Sequence, residues 1–148
     1  MLEILTLVDV REYERILPNG KGILGELTIW EIPSASVKLG VVTFVIAAGP
    51  SSPVRGTEMF NEMMDSFGAD ANIIQGTWRK PPSGDESTNI DKVNELTGQG
   101  VPLVEAVQHA WNVTRARKRS FGPAIVMGSP TGVPGSYVAI DVEMKKTP

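Results

Sequence analysis

The chain contains no cysteine and a single histidine, His109. Without cysteine there are no disulfides, no thiolate metal ligands and no cysteine nucleophile. One histidine per chain excludes a two-histidine acid–base mechanism and a metal site built from several imidazoles. The missing cysteines fit a reducing cytosol, and they fit equally a domain that crosses a cell envelope without forming stray disulfides.

Long hydrophobic runs and strong charge are also missing. No apolar stretch reaches the roughly 18 residues of a membrane span, and the first residues lack the basic segment of a signal peptide. The net charge is only −3 over 148 residues, with a pI near 5.2, which argues against a protein that coats nucleic acid non-specifically. We therefore predict a soluble, cytoplasmic protein with no membrane partner, folded as a single domain over residues 1–148.

Hydrophobic periodicity predicts the secondary structure. Apolar or alternating segments predict six strands, at residues 2–10, 24–32, 37–48, 72–78, 124–127 and 137–144. A 3.6-residue period predicts three helices, at 57–67, 88–97 and 102–119. Strand pairs at both ends of this order favour an α+β fold, in which three helices pack on a mixed, mainly antiparallel sheet of about six strands.

Local signals refine these helices and one turn. Leu17-Pro18-Asn19-Gly20 predicts a turn. Thr57 and Thr88 are expected to cap the first two helices, with Asp91 completing a capping box after Thr88. One stripe of the first helix is apolar and is expected to pack on the sheet: Met59, Phe60, Met63, Met64 and Phe67.

Three features can hold phosphate or a base. In the loop 48–57, exposed amides and Arg55 precede a helix N-terminus, although the loop also reads as an ordinary connection. Trp78 and Arg79 stand at a strand end, where an aromatic ring beside a cation can stack on a base, or the tryptophan can be structural. The basic run 115–119, led by Arg115, can bind a polyanion or simply stabilise a helix C-terminus.

His109 is the candidate general base, and Glu105 one turn earlier could orient it; the alternative is a surface histidine paired with a glutamate. Asn89 is the second catalytic candidate. The carboxylates Asp85, Glu86 and Asp91 match no calcium loop, and helix capping explains them. No metal site is predicted, and the cofactor stays undetermined.

Four short runs form a further series: Ile74-Gln75-Gly76-Thr77-Trp78, Asn89-Ile90-Asp91, Glu105-Ala106 with Trp111, and Gly135-Ser136-Tyr137-Val138. This series resembles the C-terminal domains of bacterial polymorphic toxins, the variable tips of Rhs-type and filamentous-haemagglutinin-type proteins. The resemblance implies an effector that is secreted, delivered into the cytosol of a rival or host cell, and neutralised by an immunity protein. It implies no particular reaction.

The order of elements from residue 37 to residue 144 is similar to the core of the GNAT acetyltransferases. In that family the loop after a central strand cradles the acyl-CoA pyrophosphate. Here that loop would be 49–57, with Arg55-Gly56 in place of the family's Arg/Gln-x-x-Gly-x-Gly/Ala pattern and Thr57 following. The similarity implies acetyl-CoA as the cofactor.

The leading hypothesis is an effector-type enzyme domain that acts on a phosphate-bearing substrate, a nucleotide or nucleic acid. The residues assigned to its site are Arg55, Trp78, Arg79 and Arg115 for substrate binding, and His109 and Asn89 for catalysis. The alternatives are a GNAT-like acetyltransferase and a non-enzymatic binding module that forms homo-oligomers through strand edges. The lack of a recognisable acid–base pair favours the binding module.

Overall fold

The computed structural model describes residues 4–18, 20–47, 52–84 and 87–148. It confirms the predicted α+β class, with a mixed six-stranded sheet, and it contains four α-helices where three were predicted. Backbone contacts divide the chain into two compact units, Met1–Ile73 and Ile74–Pro148. Strand β4 (Ala71–Arg79) passes through the boundary between the two units.

The first unit is an antiparallel meander covered on one face by a helix. Its elements are β1 (Thr6–Ile16), β2 (Gly22–Ile32), the short 3-10 helix Pro33–Ala35, β3 (Val37–Ile46), α1 (Gly56–Phe67) and the 3-10 helix Gly68–Asp70. β1 pairs with β2, and β2 pairs with β3. The predicted turn before β2 is confirmed by the hydrogen bond from the Gly20 N–H to the Leu17 carbonyl at 2.9 Å; Asn19 lies outside the described residues.

The first strand differs from the prediction of 2–10, because β1 continues to Ile16. Charged residues of β1 form ion pairs with α1 and with the 3-10 helix that follows it. Arg11 donates to Asp70 at 2.6 Å, and Arg15 donates to Glu62 at 2.7 Å. Because charged side chains in ion pairs, and not apolar ones, point from this strand toward α1, its sequence lacks the alternation that marks a half-buried strand.

Tyr13 belongs to the same polar cluster. Its hydroxyl donates a hydrogen bond to Glu62, which raises the pKa of Tyr13. The same bond, together with the bond from Arg15, lowers the pKa of Glu62. The two shifts agree in describing a protonated phenol that donates to an ionised carboxylate.

Helix α1 packs its apolar stripe on the meander, as the sequence predicts. All five stripe residues are buried. Phe60 meets Phe44 of β3 edge to face, with ring centroids 5.5 Å apart. Gly25 of β2 leaves room for Met63, since a Cβ on that glycine would lie 2.4 Å from the methionine sulfur. The core of this unit therefore lies between α1 and the inner face of the strands.

The predicted cap of α1 is wrong. Thr57 lies inside the first turn, and the N-cap is Arg55, whose side chain makes no capping hydrogen bond. Gly68 ends the helix with a positive φ of 60°, as expected.

The second unit contains the remaining strands and helices. Its elements after β4 are α2 (Thr88–Gly98), α3 (Leu103–Ala106), the 3-10 helix Val107–His109, α4 (Trp111–Arg117), β5 (Phe121–Thr131) and β6 (Ala139–Lys146). The strand order here is β4-β6-β5, and β5 pairs with β6 in antiparallel fashion, as predicted.

The single helix predicted at 102–119 is wrong. Ala110 adopts an extended conformation, with φ −63° and ψ 148°, and α4 starts anew at the next residue. The side-chain oxygen of Asn89 accepts the backbone N–H of Asn112 at 2.8 Å, which caps the new helix start. A side chain from α2 thus stabilises a break that neither glycine nor proline marks in the sequence.

The last strand also starts later than predicted. A strand that began at residue 137 and kept the alternation of buried Ile140 and Val142 would turn Tyr137 outward and Val138 inward, but Tyr137 is buried and Val138 is 46% exposed. The amide of Asn94 holds the backbone of Tyr137 instead, accepting its N–H at 2.7 Å and donating to its carbonyl at 3.0 Å. The alternation of β6 therefore begins only at Ala139, where strand pairing begins.

Candidate functional site

A groove of about 540 Å³ lies in the second unit, beside α2 and the start of α4. Two threonines line it together with the charged and aromatic side chains Asp91, Lys92, Glu95, His109, Trp111 and Arg115. The groove therefore brings together His109 and Arg115, which the sequence singled out separately. It combines an imidazole, a guanidinium, carboxylates and an indole within one small space.

Arg115 is held against the groove by its own helix. Its guanidinium carbon lies 4.8 Å from the centroid of the Trp111 ring, and its Nη1 donates to the Thr114 hydroxyl at 2.9 Å. Trp111 and Arg115 are four residues apart, so α4 presents both on one face. A stacked guanidinium keeps its in-plane N–H groups pointing away from the ring, where they can bind an oxyanion.

His109 closes the 3-10 helix and is exposed. Glu105 could orient the imidazole or pair with it at the surface, but it forms no ion pair with His109 in the described part of the chain. The imidazole stands directly before the backbone break at Ala110. That break directs it into the groove together with the side chains of α4.

The carboxylates of the groove have cationic partners. Lys80 donates to Asp91 at 2.8 Å, and Lys92 lies 3.7 Å from Glu95. Partial burial alone would raise the pKa of Asp91, but the hydrogen bonds from Lys80 and from the Ser87 N–H outweigh it, and the pKa is lowered. Asp91 is thus held as an ionised carboxylate that fixes the start of α2.

The predicted cap of α2 is displaced by one residue. Ser87, not Thr88, is the N-cap, and Asp91 accepts its backbone N–H at 2.8 Å. The rest of the acidic cluster, Asp85 and Glu86, lies outside the described residues.

Trp78 lies in the core of the second unit, 5% exposed. Its indole Nε1 and the Oδ1 of buried Asn112 have no hydrogen-bond partner among the described residues. Both side chains converge on Gly76, where a Cβ would lie 3.1 Å from Asn112 Nδ2 and 3.1 Å from Trp78 Nε1. Trp78 is therefore a packing residue, and Arg79 is exposed at the end of β4; neither lines the groove.

The other predicted site residues lie elsewhere. Asn89 uses its side-chain oxygen to cap α4. Arg55 belongs to the first unit, where it is the exposed N-cap of α1. Part of the predicted anion loop, residues 48–51, lies outside the described residues. The loop 49–57, which the acetyltransferase similarity assigns to the cofactor, includes three of these four residues.

The sequence assigned four of the groove residues to no site: Lys92, Glu95, Trp111 and Thr114. Trp111 is half-buried and lines the groove. Its spacing of four residues from Arg115 was the signal that could have found the stacked pair.

Within the described ranges, no helix is long and apolar enough to cross a membrane. The same ranges contain no group of three histidine or carboxylate side chains arranged to hold a metal ion. The resemblances to polymorphic toxins and to acetyltransferases stay predictions, since the chain matches no family model, no curated protein and no solved structure.

Proposed function

We propose that the groove binds a phosphate-bearing substrate, a nucleotide or a segment of nucleic acid, and that the chain acts on it as an effector-type enzyme domain. One observation carries the proposal: Arg115 is stacked on Trp111 at 4.8 Å in the same groove as the exposed imidazole of His109. These three groups supply a phosphate ligand, an aromatic surface and a proton acceptor.

Charge supports an anionic ligand. The charged side chains that line the groove balance, with the cations Lys92 and Arg115 against the carboxylates Asp91 and Glu95. Lys80 pairs with Asp91 from outside the lining and tips the formal charge of this region to positive before His109 is counted. The basic residues that follow Arg115 on α4 extend the positive potential beyond the groove, although the chain as a whole is acidic.

The geometry of the stacked pair supports a ligand that carries both phosphate and a ring. The N–H edge of a guanidinium matches two phosphate oxygens, whereas its flat face and the indole of Trp111 stack on a nucleobase. A lysine ammonium at position 115 would offer neither the paired N–H donors of a guanidinium edge nor a flat face for stacking. A nucleotide can contact both the guanidinium edge and the stacking surface, whereas inorganic phosphate can contact only the guanidinium edge.

His109 supplies the chemical step in this proposal. An imidazole that lines the groove is within reach of a bound substrate and can remove a proton from a hydroxyl or a water that attacks the phosphorus. The proton moves to the imidazole, the attacking oxygen forms the new bond to phosphorus, and the bond from phosphorus to the leaving oxygen breaks. In an in-line displacement the leaving oxygen departs on the side opposite the attacking oxygen, so another residue or water protonates it.

Calorimetry with adenosine monophosphate and adenosine tests the binding step. We expect the nucleotide to bind more tightly than the nucleoside, and Arg115→Gln to weaken nucleotide binding about 10- to 100-fold, as expected for loss of a charge-assisted hydrogen bond. Lys118→Gln is the matched control, because it removes an exposed charge from the same helix end without touching the groove. Equal affinities for the two ligands would contradict the proposal.

Expression in bacteria tests the effector step separately. We expect the wild-type chain to arrest growth, and His109→Ala to relieve the arrest at equal protein level while nucleotide binding persists. Growth without arrest, or arrest that His109→Ala leaves unchanged, would exclude the enzymatic part and leave a nucleotide-binding module.

A further inference from the structure

The meander of the first unit has one face that α1 does not cover. Residues directly opposite each other in neighbouring antiparallel strands point to the same face. Ile23, Leu27, Ile29 and Val42 are buried on the inner face. Their neighbours along the strands alternate to the opposite side, which is called the outer face below.

The outer face carries a contiguous apolar patch. Register places Leu7 opposite Trp30 and Trp30 opposite Leu39, and the next row joins Val10, Thr28 and Val41. Leu7 is 49% exposed and Val10 is 45% exposed, and the patch continues to Val37, which is 45% exposed. Contiguous apolar side chains of this kind mark interaction surfaces in proteins of ordinary composition.

A row of acidic residues borders this patch. Glu12 lies directly opposite Glu26, and Glu14 lies one row further on, opposite Leu24. Opposed side chains on one face have Cβ atoms about 5 Å apart, and like charges in such pairs are destabilising. Neither Glu12 nor Glu26 forms an ion pair with a described residue. A cation placed over this row would relieve the repulsion.

The chain does not supply that cation from the same surface. The outer-face positions of β1, β2 and β3 carry no lysine or arginine, so a second copy packed face to face about a two-fold axis would oppose glutamates with glutamates. The register shift between Leu7 and Asp9 and the charged residues that follow disfavour the pairing of another strand with the free edge of β1. Charge complementarity therefore favours a different protein, bound to the face rather than to the edge.

We infer that the outer face of the first unit is the docking surface for a partner protein that presents lysine or arginine flanked by apolar side chains. The apolar groups cover the rows of Leu7 and Val10, and the cation bridges Glu12 and Glu26. This surface belongs to the first unit, so its test is independent of the nucleotide groove.

The experiment titrates the full chain with a twelve-residue β-hairpin peptide that presents valine and lysine on one face. Backbone amide shifts in NMR spectra locate the contact. We expect shifts confined to residues 6–16, 22–32 and 37–46, and affinity at least about tenfold lower for Glu12→Gln combined with Glu26→Gln, because the charge pairing is lost. Glu58→Gln, an exposed glutamate on α1, is the matched control and is expected to bind like the wild type.

Both glutamine substitutions remove a like-charge contact at exposed positions, so the double variant is expected to fold and to unfold at a slightly higher temperature than the wild type. Equal binding of a hairpin with glutamate in place of lysine would overturn the inference. So would shifts that map to another surface, or a wild-type dimer in sedimentation that Leu7→Ser converts to a monomer.

Discussion

The side chain of Gln108 exchanges two hydrogen bonds with the backbone of Ala124. Nε2 donates to the Ala124 carbonyl at 2.8 Å, and the Ala124 N–H donates to Oε1 at 2.9 Å. The primary amide thus occupies the place of a neighbouring strand on β5, the last strand in the sheet order. This contact covers part of a free edge and ties the 3-10 helix before α4 to the sheet.

Removing this amide is expected to destabilise the protein. Gln108→Ala leaves the N–H and the carbonyl of Ala124 without their side-chain partner in a half-buried place, which costs about 1–3 kcal/mol of unfolding free energy. Urea unfolding measures the effect. Gln99→Ala, at an exposed glutamine after α2, is the control and should leave the midpoint unchanged. A midpoint for Gln108→Ala equal to that of the control would show that water replaces the two hydrogen bonds of the Gln108 amide.

Gly40 is expected to tolerate no side chain. A Cβ at this position would lie 1.9 Å from the carbonyl oxygen of Asp70, a backbone atom that cannot move aside without disturbing the turn before β4. Gly40→Ala should therefore lower the unfolding free energy by at least about 2 kcal/mol.

Gly98→Ala is the matched control for Gly40→Ala. Its nearest neighbour would be the Gly135 Cα at 3.6 Å, an ordinary contact, and it lies in α2, where alanine is favoured over glycine. We expect this variant to be neutral or more stable in the same urea measurement. Equal stability of the two variants would contradict the close approach at Gly40.

The ion pair of Asp91 predicts a pH dependence. Because the pKa of Asp91 is lowered in the folded protein, its contribution is present above the ordinary aspartate pKa of about 3.9 and is lost as the pH falls through the folded value. Asp91→Asn should therefore cost stability near pH 7, and this cost should shrink as the pH falls through the lowered pKa of Asp91. The difference should stay near or below about 1 kcal/mol, since both partners are partly exposed.

Thermal unfolding between pH 3 and pH 7 measures the predicted pH dependence. Asp141→Asn, at an exposed carboxylate on β6, serves as the control. A stability difference between Asp91→Asn and the wild type that does not change with pH would exclude the assigned role of the Lys80 pair.

The basic end of α4 is expected to matter for long ligands only. Arg117 and Lys118 are exposed beyond the groove, so Lys118→Gln should leave adenosine monophosphate binding unchanged. For an eight-residue single-stranded RNA, the same change should reduce the slope of log affinity against log salt by about 0.7, the value for one phosphate contact on a single strand. An unchanged slope would show that Lys118 contacts no phosphate and would contradict the predicted role of the basic end of α4.

Sequence periodicity predicted the elements whose stability comes from apolar burial. The stripe of α1 was found because methionine and phenylalanine recur every three or four residues, whereas β1 was cut short because Arg11 and Arg15 are held by ion pairs. Periodicity carries no information about which charged residue will find a partner. Long-range pairs of this kind are visible only once the strands and α1 are packed.

The sequence indicated His109 and Arg115 as separate candidate residues, but it did not indicate that the two line one groove. On one continuous helix, His109 and Arg115 would point about 120° apart, since each residue turns the helix by about 100°. The break at Ala110 brings both into one groove. That break depends on the Asn89 side chain, which comes from another helix, so local sequence signals did not reveal it.

The imidazole of His109 gives the most direct test of the central claim, because the chain has one histidine and its Hε1 proton gives one resolved NMR signal. Titration with adenosine monophosphate should shift this signal in a saturable way, and Lys118→Gln should reproduce the shift. Arg115→Gln should require about 10- to 100-fold more nucleotide. A histidine signal that stays in place while the nucleotide saturates the protein would contradict binding in the groove.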